Sequence, residues 1–581
     1  MRAKEINLFS FTDEQQKVAE CLRAATGISP LTAKLLVQRG IGDIESVKLF
    51  LQPTLKNGLP DPVGVKNLDL AANALLAACK KGEQITLYSD FDVDGLTSCA
   101  QLYLFLKAIG AEVNYYLPNR FVDGYGLSMA AVEKLIRTKT AILVTLDCGT
   151  SNKREIEKLK HYGVRTIVVD HHEVIELPPA EIVVNPEQEG CSFQEHSLAT
   201  AGLVWMLLIV MRKKLPEFEL SSSEKTDPKA YLDLAALGTI CDMVPLLKTN
   251  RTIACRGVEA LKLTKRPGIE ALKNISGLSA NPRFGSGHVG FVLGPRINAA
   301  GRMADPQVAF NLLTTSDHKE AATLADHLNR LNDKRRQTEE EMLRIAEHLI
   351  DSSQALVLQP VLVVYDSSFH LGVIGIVAQR LVEKYQRPAF VMAPGEMIKS
   401  NEKIAVIKGS ARSIKGVDVV GILQSCASEL LGFGGHEQAG GFSLLPDKLG
   451  DFASIIERVA QQQIGANSYQ QTINCDLKTD FAAIDFQLAE EFQMLSPFGI
   501  KNPTPLLYTE NVTIDSINGL DNNNYRFILR EGKYFLPAVA WGKKEVRDLR
   551  KGSVINIVYQ LEINTYQGIS SAQLNLKEIL S

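Results

Sequence analysis

Between residues 84 and 185 the chain alternates short aliphatic runs with helical periods: "QITLYSD", "SCAQLYLFLKAIG", "EVNYYLP", "AAVEKLIRT", "AILVTLD", "REIEKLKHYG", "RTIVVD" and "EIVVNP". Most of the aliphatic runs lack the polar alternation of a half-exposed sheet, so their strands are expected to be buried on both faces. This rhythm predicts an α/β fold, a parallel sheet covered by helices, and such sheets collect ligands at the carboxyl ends of their strands. Here those ends are acidic. "YSDFDVDGLTSC" places Asp90, Asp92 and Asp94 on alternate positions, "AILVTLDCG" ends at Asp147, and "RTIVVDHH" supplies Asp170, His171 and His172. The helix-to-turn junction "GTICDMVP" adds Asp242. If the extended conformation persists through "DFD", strand alternation turns the first three carboxylates to one side.

One aspartate at a strand end is ordinarily a cap or a turn former. Four acidic ends in one sheet are a different matter, because no comparable group of Lys or Arg lies in these stretches to neutralise them. Divalent cations are the economical partners. Carboxylates with an imidazole suit Mg²⁺ or Mn²⁺, and two ions about 4 Å apart serve phosphoester hydrolysis. The nine cysteines include no CxxC pair, so neither a zinc cage nor a disulfide framework is expected. "GSGHVG" has the letters of a dinucleotide fingerprint but follows "NPRF" rather than a strand, and there is no GxxxxGK[ST].

A net charge of −3 gives no global basic signature, so any nucleic-acid surface must be local. The start "MRAKEINLFS" lacks a signal-type apolar region, and "AGLVWMLLIVM" falls short of the roughly 20 residues of a membrane span. A cytoplasmic protein away from membranes is expected. Residues 316–350, free of Gly and Pro, read as one long helix. A second α/β segment opens with "PVLVVYD", and five strand-like runs from about residue 503 predict a small closed β-barrel. "GSARS" and "GFGGHEQAGG" read as glycine-permissive loops whose N–H groups can cradle an anion, with Arg412 or His436 adding charge. His161, His196, His318, His327 and His348 lie among charges in helical or loop stretches and receive no role.

"SDFDVDGLTS", "LDCG", "VVDHH" and "GTICDMVPL", in this order and on these elements, resemble the four motifs of the DHH phosphoesterase superfamily. "GPRINAAGR", "FHLGVIGIVAQRL", "GSARS" and "GFGGHEQAGG" resemble motifs of its RecJ branch of single-strand-specific 5′→3′ DNA exonucleases. The resemblance implies a helical and loop extension at 1–60, a catalytic DHH domain at 61–315, a connecting helix at 316–352, a DHHA1 α/β domain at 353–462 and an OB-type barrel at 463–581. It further implies Asp92 and Asp94 on separate Mn²⁺ or Mg²⁺ ions, Asp147 bridging both, and His171 and Asp242 completing the second site. Asp90 and Asp170 would orient ligands, and His172 would face the phosphate. Some relatives carry histidine where this chain has Tyr88, tryptophan where it has Phe369, and glycine where it has Lys501.

Arg120, Arg296, Asn298, Arg302, Ser410, Arg412 and His436 are the candidates for gripping the strand and its 5′ end, because a guanidinium meets two phosphate oxygens at once. On the barrel, Tyr525, Phe527, Tyr534 and Phe535 with Arg526, Arg530 and Lys533 suit stacking on unpaired bases, although part of the aromatics should fill the barrel instead. The expected activity is exonucleolytic cleavage of single-stranded DNA in recombination and repair, by a monomer working with single-strand-binding protein and a helicase. Two other readings compete. A small-molecule phosphatase or short-oligonucleotide hydrolase leaves the long helix and barrel without purpose, and a non-enzymatic replication scaffold leaves the intact Asp and His set without purpose.

Overall fold

The computed structural model describes residues 5–580 apart from 122, 125, 194, 196, 280, 282, 354–358, 400–401, 465–471 and 521–522, so His196 lies outside the described residues. The chain opens with strand β1 (Glu5–Leu8) and helices Asp13–Thr26, Pro30–Gln38 and Ile44–Leu51. Each helix starts on a side-chain cap: Thr12, Ser29 and Asp43 accept from the amides of Gln15, Thr32 and Ser46. These helices bury Leu22, Leu36, Val47 and Phe50 in one core with Phe481, Leu488, Phe492 and Leu495 from the far end of the chain. β1 pairs in parallel with Thr472–Cys475. The leading segment is thus part of the C-terminal unit.

The first sheet contains β2 (Ile85–Ser89), β3 (Val113–Tyr116), β4 (Ile142–Leu146), β5 (Arg165–Val169) and β6 (Ile182–Val184) in the order β3-β2-β4-β5-β6, all parallel. Every residue of β2 and β4 is buried, as their unbroken aliphatic character requires. Leu87, Val144 and Ile167 face helices Leu68–Lys81, Val93–Ala108 and Thr200–Lys214, whereas Tyr88, Leu143 and Val168 face helices Met129–Arg137 and Lys153–His161. From β2 the chain first steps out to β3 and then returns to β4 on the other side. That reversal makes the β2/β4 boundary the topological switch point, where such sheets open a crevice.

Helix His318–Ser352, about 50 Å long at 1.5 Å per residue, begins on Asp317, which accepts from the amides of Lys319 and Glu320. It packs Met342, Ala346 and Ile350 against a second sheet. That sheet comprises β7 (Leu362–Tyr365), β8 (Ala389–Lys399), β9 (Glu402–Arg412), β10 (Leu430–His436) and β11 (Ala439–Leu444), ordered β10-β11-β9-β8-β7. Only the β7–β8 pairing is parallel.

The expectation of free anion-cradling loops is corrected here. "GSARS" runs along β9 with partners on both sides, and "GFGGHEQAGG" is the β10–β11 hairpin, so most of these amides already serve the ladders. The glycines answer a packing demand instead. A Cβ on Gly409 would lie 2.1 Å from the Phe442 ring.

In the tail, β12 (Thr472–Cys475) and β13 (Leu477–Lys478) precede β14 (Leu507–Gly519), β15 (Tyr525–Glu531), β16 (Tyr534–Ala540), β17 (Val554–Tyr566) and β18 (Ile569–Leu580). The last five strands pair in the order β14-β15-β16-β18-β17, and β17 returns to β14, closing the barrel. Arg251, buried on helix Lys248–Leu263, ties this unit to the first domain. Its Nε donates to the Phe50 carbonyl at 2.7 Å, Nη1 to Leu495 at 3.0 Å and Nη2 to Ser496 at 2.9 Å, and its guanidinium lies 3.6 Å from the Phe50 ring centroid.

Candidate metal centre

Three aspartates continue strands by one residue. The amides of Asp90, Asp147 and Asp170 donate to Leu146, Val169 and Val184, each at 3.1 Å, so each carboxylate leaves the sheet at its carboxyl edge. Asp147 does so with φ +62°, a conformation uncommon outside glycine that turns the chain sharply into Gly149 at φ +111°. A Cβ on Gly149 would sit 2.4 Å from Thr145 Oγ1.

The route by which Asp90, Asp92 and Asp94 meet differs from strand alternation. β2 ends at Ser89, and Asp92 is the N-cap of helix Val93–Ala108, its carboxylate accepting from Gly95 N at 3.1 Å; Asp94 lies in the first helical turn. The turn is tight enough that a Cβ on Gly95 would meet the Asp90 carbonyl at 2.5 Å. Capping chemistry therefore replaces alternation as the cause of convergence.

The side chains form three overlapping groups, each with one donor atom per residue and all donors within 4.8 Å: Asp90, Asp92 and Asp147; Asp94, His171 and Asp242; and Asp147, His171 and His172. His171 Nε2 stands 3.4 Å from Asp147 and 3.5 Å from Asp242. The residues fit a divalent cation on two grounds. Asp90 Oδ1, His171 Nε2 and Asp242 Oδ2 are buried without a hydrogen-bond partner, and oxygen-rich donors with one imidazole are the ligands of hard to borderline cations.

Without a cation the cluster is electrostatically frustrated. Burial and the neighbouring Asp92 charge push Asp90 up to about 8 and Asp94 up to about 7. Burial and the charges of Asp94, Asp92 and other carboxylates hold Asp147 and Asp242 well above the ordinary carboxylate range. Burial, reinforced by His172, lowers His171 to about 4, which leaves its imidazole neutral and able to ligate. Asp170 behaves otherwise. Burial pushes it up, but a 2.7 Å hydrogen bond with His172 Nδ1, that residue's charge and the Thr150 amide together bring it below its usual value. Burial opposes protonation of His172, yet the Asp170 contact outweighs it and raises His172 above its usual value.

Arg120 and Arg302 adjoin the carboxylates, and Arg412 lies beside Arg120. Arg120 packs 4.3 Å over the Phe91 ring; burial lowers its pKa while Asp90 and Asp92 support its charge. Arg302 is brought down to about 9 by burial and by Arg120, Arg335 and Arg412, and burial with Arg120 lowers Arg412. Their hydrogen bonds reach neutral groups: Arg302 donates to the Gly372 carbonyl at 3.3 Å, and Arg412 to Ser410 Oγ at 3.0 Å and the Ala411 carbonyl at 2.8 Å. Such a concentration of cations is prepared for an anion. Two glycines of "LGVIG" permit the approach. A Cβ on Gly372 would lie 2.0 Å from the Arg302 carbonyl, and one on Gly375 3.1 Å from Ser410 Oγ.

The remaining candidates are placed less centrally. Arg296 is committed to Asn329 Oδ1 at 2.9 Å and the Val292 carbonyl at 2.8 Å. Asn298 Oδ1 accepts from Val93 N at 3.2 Å and so steadies the turn after Asp92. His436 is exposed on edge strand β10, 4.0 Å from Glu173. Tyr88 donates its hydroxyl to the Gly126 carbonyl at 2.7 Å rather than to the carboxylates.

Sequence reasoning misses three supporting residues. Thr150 N donates to Asp170, Asn185 Nδ2 donates to Thr150 Oγ1 and the His172 carbonyl, and Thr200 contacts both Asp94 and Asp147. On the barrel, Phe527 is core, whereas Tyr534 and Phe535 are exposed and Tyr525 is half-buried.

The DHH family N-terminal domain matches residues 84–239, the DHHA1 domain 358–462 and the RecJ OB domain 475–578. The single-stranded-DNA-specific exonuclease RecJ of Bacillus subtilis is 33% identical over 569 residues, covering 97% of this chain and 70% of the relative. That of Haemophilus influenzae is 33% identical, covering 90% and 92%. The chain belongs to the RecJ family. The crystal structure of RecJ with Mn²⁺ from Thermus thermophilus is similar throughout, with a TM-score of 0.82, 28% identity and coverage of 99% of this chain and 79% of that one. A Mg²⁺ complex of the same RecJ gives a TM-score of 0.77 and 27% identity.

Proposed function

We propose that this RecJ-family single-stranded-DNA exonuclease works from the 5′ end with two divalent cations, Mn²⁺ or Mg²⁺. Asp90, Asp92 and Asp147 would hold one ion, and Asp94, His171 and Asp242 the other, with Asp147 shared. When bound, the ions supply a water of lowered pKa and neutralise charge gathering on the phosphoryl oxygens. Arg120, Arg302, Arg412 and Ser410 would bind the terminal 5′-phosphate, which sets the next phosphodiester over the carboxylates. Asp170 orients His172 and favours its protonated form, so that His172 would donate to a non-bridging phosphate oxygen. Asn298 holds the Asp92 turn, and the exposed Tyr534 and Phe535 offer stacking surfaces to unpaired bases.

The observation that carries this reading is the adjacency of the carboxylate centre to Arg120, whose buried Nε has no hydrogen-bond partner among the described residues, and to Arg302, with Arg412 beside Arg120. A cation centre alone would hydrolyse phosphoesters without polarity; a phosphate clamp beside it counts from an end. Cytoplasmic action in recombination and repair, alongside single-strand-binding protein and a helicase, belongs to the same reading. Digestion of end-labelled linear single strands with Mn²⁺, beside a circular strand, tests it. Early release of 5′ label with intact circles is expected; cut circles or early 3′ release would refute the end clamp.

A further inference from the structure

Helix Thr200–Lys214 begins inside the carboxylate cluster without a side-chain cap of its own, since its N-cap is Ala199. Its first two amides find a remote acceptor instead. Thr200 N donates to Asp94 Oδ2 at 2.8 Å and Ala201 N to Asp94 Oδ1 at 2.9 Å, so both oxygens of Asp94 are fixed by a helix N-terminus more than a hundred residues later in the chain. The side chain of the same residue looks elsewhere. Thr200 Oγ1 donates to Asp147 Oδ1 at 3.0 Å, and Thr200 is fully buried.

Thr200 therefore touches one member of each carboxylate group: Asp94, which stands with His171 and Asp242, and Asp147, which stands with Asp90 and Asp92. The arrangement has little slack. A Cβ on Gly238 would lie 2.4 Å from Ala201 Cβ and 2.8 Å from Asp94 Oδ1, so helix Leu232–Cys241 closes against the first turn and carries Asp242 at its end. A threonine at an ordinary helix start would return its hydroxyl to its own helix; this one is directed to a second carboxylate.

We propose that Thr200 is a positioning residue that couples the two cation subsites, so that an ion held at one orders the carboxylate needed at the other. This inference rests on the two-cation reading above. The Thr200 hydroxyl fixes one oxygen of Asp147 while the backbone amides of the same helix start fix both oxygens of Asp94, so the two carboxylates are oriented by one turn of helix. Loading either subsite then stiffens a residue shared with the other.

The test is Mn²⁺ binding to the full-length protein, followed by calorimetry and by the exchange-coupled electron paramagnetic resonance signal of a paired Mn²⁺ site. T200V keeps the amide and nearly the volume but removes the hydroxyl; T200S keeps the hydroxyl. Wild type and T200S should bind two ions and develop the paired signal together. T200V should still take up its first ion, bind the second about tenfold more weakly, and show the paired signal only at correspondingly higher Mn²⁺. Should T200V fail to fold, T200A carries the same comparison. Identical Mn²⁺ isotherms and signals for wild type and the hydroxyl-free variant overturn the coupling alone. A single ion per wild-type chain overturns the two-cation reading and the coupling together.

Discussion

His171 Nε2 stands 3.4 Å from Asp147 Oδ1, and burial drives the two groups toward the same neutral state from opposite directions. Burial favours the neutral imidazole on one side and the protonated carboxyl on the other. Both groups in their neutral forms are the less costly arrangement of a buried acid and base; as ligands of a bound cation, as proposed above, the pair would give up the carboxyl proton. The protein's stability without metal and its capacity to bind metal are therefore set by the same atoms.

Stability in the presence of a chelator should fall as pH rises from about 6.5 to about 8. The folded-state pKa values of Asp90, Asp94, Asp147 and Asp242 are raised, so the folded state holds protons that the unfolded chain releases near 3.8, and that advantage is lost as pH climbs through about 7 and about 8. His172, also raised, acts in the same direction; His171, lowered from 6.5 to about 4, opposes it only below about 6.5. Thermal unfolding in chelator should show the decline, and saturating Mn²⁺ should reverse it. A flat chelated profile over this window argues against the buried acidic cluster.

Asp147→Asn should raise the melting temperature in chelator while erasing the rise that Mn²⁺ gives the wild type. Asparagine tolerates the φ of +62° at this position and cannot acquire the buried charge that burial and the neighbouring carboxylates oppose as pH rises. Hydrolysis of single strands should be lost. A variant that keeps both activity and the Mn²⁺-induced shift removes Asp147 from the centre.

Arg412→Ala should cost about 1.5–3 kcal/mol of interaction with a phosphate, a ten- to hundredfold loss. The loss should be concentrated on 5′-phosphorylated strands, because Arg412 sits with Arg302 and Arg120. Equal losses on 5′-hydroxyl and 5′-phosphate strands would place the clamp elsewhere.

Two phenylalanines of the barrel should behave in opposite ways. Phe527→Ala empties a buried site and should cost about 3–5 kcal/mol of stability, whereas Phe535, 54% exposed, should leave melting unchanged on replacement by Ala. Phe535→Ala should instead weaken binding of long single strands by roughly 1–3 kcal/mol. Fluorescence anisotropy with a labelled strand, beside a melting curve, separates the two.

Much of this architecture is legible in the sequence. The aliphatic runs ending at Asp90, Asp147 and Asp170 specify parallel strands and the edge at which the carboxylates emerge, since period and burial are local properties of the chain. The Gly-free, Pro-free stretch before Ser352 is the long helix. What sequence does not carry is the cause of close approach. Gly409 reads as a loop residue but lies in β9 beneath Phe442, and the anion-binding amides expected there are engaged in pairing. Thr200 gives no local signal, because its partners Asp94 and Asp147 are distant in the chain. Lys501 has φ +56°, a left-handed position of the kind that favours glycine, in keeping with the glycine that the resemblance implies there.

The pairing of β1 with Thr472–Cys475, and of the leading helices with Phe481, Leu488 and Phe492, has a consequence for synthesis. A ribosome delivers residues 5–51 long before their partners exist, and two α/β domains can close in the interval. The apolar faces around Leu22, Leu36 and Phe50 must wait in a nascent chain, open to chaperones or to a neighbouring polysome product. Arg251, presented by the first domain, can engage Phe50 early and hold the leading segment near the place where the barrel will later arrive. The last strands to emerge would then dock onto a half-built platform rather than search for one.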